Sequence, residues 1–591
     1  MGLRILFDSH NKIHKSPFGT IVPKELCAFS VHIPADVKTV SAQLAITCDR
    51  TAETHRVALQ KTGTQGDYEF WSCETSFDAP DLFFYWFEIT TENESFRLLK
   101  YGNHDTNMED GDLWQLSCVT DAYPAPEWAR GTIMYQIMPD RFCRLGQPDL
   151  TDKLQPYTVH ESTDEQPEWR PTEDGKVLNN DFFGGTLRGI SSKMAYIASL
   201  GVGLLYLNPI FMAYSNHRYD TCDYKRIDPM LGTEDDFAEL CKTAHKFGIR
   251  VILDGVFSHT GSNSVYFDKE KIFGNGAYSN PESPYREWYQ FEEYPEKYTS
   301  WWDFETLPCI NEENPNFIDY IIESEDSVVS HWMGLGADGF RLDVADELPD
   351  TFIAKMRKKM REINPNSLLL GEVWEDASNK IAYEKRRRYF VDGELDGVMN
   401  YPWRTAILDF CSGKDGGIAL KSAVETIFEN YPRQAAECNM NLISSHDRAR
   451  ALTELGAPFE GSREEMAAHM LSTSQREKAE KLLKIAVILQ YSLPGMPSIY
   501  YGDEAGMEGC KDPFNRGFYP WGRENTDLVK FYQMLGKFRN TRKSLRFGDV
   551  KISVLDGGIV SIRREYEDEV TEITVDRNGA KWYVNGAERD F

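Results

Sequence analysis

Between residues 126 and 540 the chain repeats one pattern eight times: a short apolar run of strand composition, then a stretch with helical spacing. The runs are 132–138, 204–208, 250–254, 339–343, 367–372, 397–401, 440–444 and 498–501. Strands that alternate with helices pair in parallel, because each helix carries the chain back along the sheet. Eight such units predict an α/β fold of the (β/α)8 TIM-barrel type, lengthened by insertions. One helix is readable in detail. Thr233 is a natural N-cap with Asp236 three residues on; Phe237, Leu240, Cys241, Ala244 and Phe247 follow at helical spacing, and Gly248 can end the helix. Another helix runs to about Tyr491 and is halted by Pro494-Gly495.

The flanks read differently. In residues 1–125, Phe29/Val31/Ile33, Ala42/Leu44/Ile46 and Phe83/Tyr85/Phe87/Ile89 alternate with period two, which predicts an N-terminal β-sandwich with one face of each strand buried. Residues 541–591 return to β patterning around Gly557-Gly558 and Asn578-Gly579 turns, a short C-terminal β domain. Two insertions interrupt the barrel region 126–540. Residues 143–181 are polar, and 260–312 are rich in aromatics: Tyr266, Phe267, Trp288, Tyr289, Trp301 and Trp302. The second follows the third strand, so it emerges at the C-terminal face, where barrel active sites lie.

Charge and cysteine usage narrow the function classes. The 93 acidic and 65 basic residues leave a net charge of −28, which argues against a nucleic-acid partner. The apolar start is broken by Arg4 and stopped by Asp8, short of a secretory signal, and no run approaches the roughly 20 residues of a membrane span. Eleven scattered cysteines with no CxxC pair fit free thiols in a reducing compartment, so a cytoplasmic location is expected.

The strand ends carry acids. Asp254 closes the third strand, Asp343 the fourth and Glu372 the fifth, while His446-Asp447 follow the seventh. Two carboxyl groups flanking a bond are what glycoside hydrolysis needs, since the leaving oxygen must be protonated and an oxocarbenium-like centre stabilised. Arg341 and Asp343 lie two apart and so share one side of their strand; the arginine either favours the ionised form of a nucleophile or makes a structural ion pair. Glu372, in Leu370-Gly-Glu-Val-Trp374, has apolar neighbours that would raise its pKa toward that of a general acid. Trp374 offers either a stacking face for a sugar or core filler. His259 and His446 can donate to sugar hydroxyls. Neither has a histidine partner at helical spacing, so they form no metal triad.

As a set, Asp254-Gly-Val-Phe-Ser-His259, Gly339-Phe-Arg-Leu-Asp343, Gly371-Glu-Val and Ser445-His-Asp447 resemble the four sequence regions of the α-amylase family of glycoside hydrolases, in order and spacing. Met138-Pro-Asp-Arg-Phe142, His217-Arg-Tyr-Asp-Thr-Cys-Asp-Tyr224, Leu307-Pro-Cys-Ile-Asn311 and Ile499-Tyr-Tyr-Gly-Asp-Glu504 extend the resemblance over roughly residues 126–540. With a β module ahead of the barrel, the neopullulanase, cyclomaltodextrinase and maltogenic amylase subgroup is the most similar.

The resemblance implies a retaining hydrolase of α-1,4-glucosidic bonds in maltodextrins, cyclodextrins or pullulan. By residue, Asp343 is the expected nucleophile, Glu372 the acid/base, and Asp447 the group that grips the distorted sugar. Arg341, His259 and His446 orient these groups, Tyr219 stacks on the sugar, His217 contacts it, and Asp254 and Trp374 complete the site. The insertion 256–312 corresponds to the family's domain B, and the N-terminal sandwich to its carbohydrate-binding or dimerisation module, so a homodimer is expected. Ser258 stands where the family usually has asparagine and Thr186 where relatives often have aspartate. Both are positions that bind calcium in related enzymes, so no cofactor is expected. The same residues also suit an α-glucosidase or oligo-1,6-glucosidase, a glucanotransferase or, outside enzymes, an inactive glucan-binding relative.

Overall fold

A computed structural model describes residues 4–120, 125–173 and 175–589. They divide into two compact units: residues 1–124 with 376–396 and 421–436, and residues 125–375 with 397–420 and 437–591. The stretches 376–396 and 421–436, which fall inside the barrel region of the sequence, thus pack with the N-terminal module.

In the first unit, strands Cys27–Pro34, Thr39–Cys48, Thr54–Gln65, Tyr68–Thr75 and Asp81–Thr91 are antiparallel. Thr54–Gln65 is long enough to serve two partners. Its first half pairs with Thr39–Cys48 and its second with Tyr68–Thr75, with an irregularity between Lys61 and Gly63. The two arms close on one core. Every residue of the three alternating sets named from the sequence lies in it, and Phe29 meets Tyr85 edge-on at 5.1 Å. Period-two patterning was sufficient here because only one face of each strand is buried.

The second unit contains the barrel. Its strands are β1 (Met134–Ile137), β2 (Leu204–Leu207), β3 (Arg250–Gly255), β4 (Gly339–Leu342), β5 (Leu368–Gly371), β6 (Gly397–Val398), β7 (Met440–Leu442) and β8 (Met496–Tyr500). All neighbours are parallel, β8 returns to β1, and a parallel bridge between Met399 and Met440 joins β6 to β7 and closes the ring. The interior is packed by Met134, Leu204, Tyr206, Ile252, Leu368, Leu370 and Met440, all buried. Gly339 has a steric cause: a Cβ there would stand 2.0 Å from the Leu368 carbonyl oxygen of β5.

Six of the eight strands are shorter than the apolar runs suggested, while β3 and β8 are each one residue longer. β4 ends at Leu342 and β5 at Gly371, so Asp343 and Glu372 stand one residue beyond the sheet. Tyr401 already begins the helix Tyr401–Ser412, capped by Asn400. Apolar runs continue past the ladder because barrel mouths are buried too, and hydrophobicity does not register where hydrogen bonding stops. The helix Glu234–Lys246 has the capping box foreseen at Thr233 and Asp236, but Phe247 is its C-cap and half-exposed rather than a core residue. The helix Thr473–Ser492 ends just before Pro494.

The aromatic insertion forms its own small core of Tyr266, Phe267, Trp288 and Tyr289, whereas Trp302 is 75% exposed. The C-terminal sheet has five antiparallel strands, from Asp549–Leu555 to Ala587–Arg589. Gly557 and Gly558, both with positive φ, lie in the three-residue loop between Leu555 and its partner Ile559. After a hairpin at Glu567-Asp568, the other turn named from the sequence is centred on Arg577-Asn578, since Asp576 pairs with Gly579, one residue earlier than the sequence suggested. Asn585-Gly586 makes a further hairpin that the sequence reading did not single out. All eleven cysteines are free thiols, and among the described residues no helix is long and apolar enough to cross a membrane.

Candidate active site

Strand register builds the centre of the site. Asp254 on β3 is paired directly with Arg341 on β4, and Arg341 with Leu370 on β5, two residues before Glu372. Arg341, wholly buried, donates from Nη1 to Asp254 Oδ1 at 2.6 Å and Asp343 Oδ1 at 2.9 Å, and from Nη2 to Glu372 Oε2 at 2.7 Å. One guanidinium therefore holds three carboxyl groups. The expected Arg341–Asp343 pair is present, but it is part of a larger cluster.

The three differ in what they can still touch. Asp254 also accepts from the hydroxyls of Tyr206 at 2.6 Å and Tyr219 at 2.8 Å, and its side chain has no exposed surface. It is committed to protein donors. Asp343 and Glu372 side chains each keep 8% exposure and Asp447 keeps 26%, so these three are the acids a ligand can reach. Asp447 stands 3.3 Å from His446 Nε2 and accepts from Tyr401 Oη at 3.5 Å.

The electrostatics depart from what neighbouring residue types suggested. Burial pushes the Asp343 carboxyl well above the ordinary carboxylate range; Arg341 pulls it down, and Glu372 and Asp254 push it up. The arginine does not win, because its charge is shared among three acids. Asp254 and Asp447 are also raised, first by burial. Glu372, for which apolar surroundings were expected, instead accepts three hydrogen bonds. Val344 N at 2.9 Å and Arg341 reach Oε2, and Trp374 Nε1 reaches Oε1 at 2.9 Å. Trp374 is 41% exposed and stacked on Tyr401 at 4.3 Å, so it presents one open face rather than filling a core.

The histidines are held neutral. Gln136 Nε2 donates to His446 Nδ1 at 2.9 Å, which leaves the proton on Nε2 to be given to Tyr219 Oη at 2.5 Å; Tyr219 in turn donates to Asp254. Burial and the Arg341 and Arg516 guanidiniums keep the His446 pKa well below its ordinary value. His259 donates from Nε2 to the Tyr219 carbonyl at 3.1 Å and is lowered to about 4 by burial. His217, lowered to about 3 chiefly by burial, accepts the Tyr219 backbone N–H at 3.2 Å. The structure thus gathers His217, Tyr219, Asp254, His259, Arg341, Asp343, Glu372, Trp374, His446 and Asp447 at one mouth of the barrel.

Four positioning groups were not singled out from the sequence. Gln136 and Asn208 are buried amides at the mouth, and Asn208 donates to Tyr219 Oη at 3.0 Å. Their signal was available: each is a polar residue in an otherwise apolar run. Asn515 and Arg516 donate to the His446 carbonyl and fix the loop that carries Asp447. They lie about 70 residues downstream, where only folding reveals them. Val344, directly after Asp343, has φ 40° and ψ 62°. A β-branched residue in the left-handed region costs on the order of 1–3 kcal/mol, and this one aims its N–H at Glu372.

The positions compared with a calcium site do not supply the six to eight oxygens such an ion takes. Thr186 Oγ1 caps the helix Leu187–Ser192 by accepting Gly189 N and donates to the Leu145 carbonyl. Ser258 Oγ bonds His259 Nδ1 at 3.0 Å.

Comparison with known proteins identifies the family of the barrel. Residues 136–551 match the family profile described as alpha amylase, catalytic domain. An amylopullulanase from Thermoanaerobacter thermohydrosulfuricus is 34% identical over 97% of this chain and 42% of the relative. Neopullulanase 2 from Thermoactinomyces vulgaris is 31% identical over 79% of this chain and 72% of the relative. The structure of the type III pullulan hydrolase from Thermococcus kodakarensis superposes with a TM-score of 0.65 at 26% identity, covering 97% of this chain and 94% of that one. The chain spans less than half the length of the amylopullulanases it matches. With three reachable acids around one buried arginine at the mouth of a closed eight-stranded barrel, the chain belongs to the α-amylase family through its catalytic domain.

Proposed function

We propose that the protein is a retaining glycoside hydrolase that cleaves α-1,4-glucosidic bonds in maltodextrins, cyclodextrins or pullulan. The observation that carries this reading is the bridge from Arg341 to both Asp343 and Glu372, which keeps two reachable carboxyl groups within the span of one guanidinium. A retaining pair needs that closeness, since one carboxylate attacks the carbon whose leaving oxygen the other protonates. Relatives named for pullulan and cyclodextrin hydrolysis support the substrate class.

The chemistry needs one proton for two carboxyls. Burial, with Glu372 and Asp254 nearby, raises the Asp343 carboxyl, and a retaining mechanism assigns the transferred proton to Glu372. In the first step it passes from Glu372 to the glycosidic oxygen while Asp343 bonds to C1 and the C1–O bond breaks. In the second, Glu372 takes a proton from water, whose oxygen attacks C1 and releases Asp343. Arg341 offsets charge on both acids in turn. Asp447, the most exposed acid, faces the sugar hydroxyls, Tyr219 supplies a stacking ring, and the neutral His259 and His446 hold that residue in place through its carbonyl and hydroxyl without adding charge. Trp374 lies beside the acid/base and lines the leaving-group side. The N-terminal unit exposes Ile13, Leu26 and Val40, which suit the dimer contact we assign to it.

The test is to incubate the protein separately with maltoheptaose, β-cyclodextrin and pullulan, and to resolve products while NMR follows the anomer released first. Ring opening, panose from pullulan and initial α-anomer are expected. Initial β-anomer would show inversion, and no cleavage by folded protein would overturn the assignment of activity. At high maltose, longer products would favour the glucanotransferase reading.

A further inference from the structure

The first unit holds a second cluster of metal-ligating side chains, remote in sequence from the barrel acids. Asp8, His10 and His104 each offer a donor atom, and these atoms lie within 4.8 Å of one another; among the described residues no other group of three does so. Asp8 Oδ1 stands 3.3 Å from His10 Nδ1 and Asp8 Oδ2 stands 3.1 Å from His104 Nδ1. Ligands at about 2.0–2.1 Å from a tetrahedral zinc are roughly 3.4 Å apart. The two short separations end on different oxygens of Asp8, and with all donor atoms within 4.8 Å a small shift of side chains brings one oxygen and both rings to a single ion.

The surroundings complete the pattern. His104 Nε2 faces Glu425 Oε2 at 2.9 Å, and His10 Nε2 faces Glu429 Oε2 at 3.6 Å. A carboxylate on the far nitrogen of each ligating histidine is the arrangement that orients the ring and raises its basicity at metal sites. Independently, the His10 side chain is nine-tenths buried, yet neither ring nitrogen has a partner in hydrogen-bonding geometry. Both oxygens of Glu429, 3% exposed, likewise lack a partner in hydrogen-bonding geometry, although Oε2 lies within ion-pair distance of His10 and Lys100. Buried groups of this kind are costly unless something satisfies them. Lys100 Nζ, 3.5 Å from Glu429, and Lys421, which contacts His104 and Glu425, are the neighbouring cations.

We propose that Asp8, His10 and His104 bind a divalent transition-metal ion of the zinc class through one carboxylate oxygen and the two Nδ1 atoms, with Glu425 and Glu429 as outer carboxylates. Two nitrogens and one oxygen suit such an ion and are too few oxygens for calcium. Binding requires His104 to carry its proton on Nε2, donating to Glu425, so Lys421 must keep Glu425 and give up the ring nitrogen. Asp8 and His104 side chains are 25% and 39% exposed, which leaves a fourth position open to water and a path for the ion. The ion joins the N-terminal turn at Asp8–His10 to the loop at His104 and, through its outer carboxylates, to the helix Ile418–Asn430. Its role is structural.

The experiment uses the full-length, tag-free chain, stripped with chelator and titrated with Zn2+ alone against a chromophoric competitor, and separately with Co2+ followed by visible absorption. One Zn2+ per chain and a tetrahedral Co2+ spectrum are expected. His10→Gln and His104→Gln should each weaken binding at least about tenfold, and Glu429→Gln by roughly 10- to 100-fold. Circular dichroism checks folding, and the partly exposed His104 supplies a variant with little packing to lose. No uptake by wild type at micromolar Zn2+ would overturn the proposal and leave a network of histidines and carboxylates in contact with one another. Binding by His104→Gln equal to wild type would overturn it as well.

Discussion

Replacing Arg341 with methionine tests the central claim about the site, since methionine fills much of the same volume without charge or donors. Arg341 makes charge-assisted bonds of 2.6, 2.9 and 2.7 Å to Asp254, Asp343 and Glu372. Breaking a buried ion pair by removing one partner costs about 3–5 kcal/mol, and here one cation serves three acids. The loss should depend on pH with a definite sign. Asp254 and Asp343 already have folded pKa values above their unfolded ones, so each stabilises least once pH has risen through the folded value. Removing Arg341 raises these values further, at about 1.4 kcal/mol per pKa unit. The stability gap between wild type and R341M should therefore be larger at pH 8 than at pH 5, because at pH 5 more of the orphaned carboxyls are protonated. Guanidinium chloride unfolding followed by tryptophan fluorescence at both pH values reads the gap, and initial rates on β-cyclodextrin should fall on the order of 100- to 1000-fold or more. A variant as stable as wild type at pH 8, or with a gap that widens toward acid, would refute the shared-guanidinium account.

Asp343→Asn should abolish turnover while leaving the circular dichroism spectrum unchanged; activity above about a thousandth of wild type would remove Asp343 as nucleophile. Tyr219→Phe keeps the ring but loses the hydroxyl shared by Asp254, His446 and Asn208, and should lower kcat about tenfold, with a full-rate variant counting against the network. Because His446 is held well below its ordinary value and His259 near 4, neither should titrate between pH 5 and 8; NMR of the ring resonances showing a midpoint near 6.5 for either would contradict the burial argument. Chelator should leave the room-temperature rate within about twofold, since Thr186 and Ser258 spend their hydroxyls within the protein, while the melting temperature falls if the Asp8–His10–His104 ion is removed.

Periodicity and chemistry along the chain carried far for this protein. Alternating residues from Phe29 to Ile89 identified the inner faces of the N-terminal module, since a strand with one wet face must alternate. Eight apolar runs separated by helices left a parallel closed sheet as the economical answer, and four acidic strand ends marked the C-terminal face, while the separate roles of Asp343, Glu372 and Asp447 came from motifs that resemble the α-amylase family. Tertiary structure decided the rest. Asp254 reads like its neighbours in sequence, yet three donors from β2, β4 and the Tyr219 loop enclose it, and no local pattern encodes donors that arrive from other strands. The Asp343 carboxyl is governed by burial rather than by the arginine two residues away, because desolvation depends on everything packed around a group and not on its nearest covalent neighbours. Likewise His10 and His104 are 94 residues apart in the chain, and only the folding of the N-terminal unit brings them to opposite sides of Asp8.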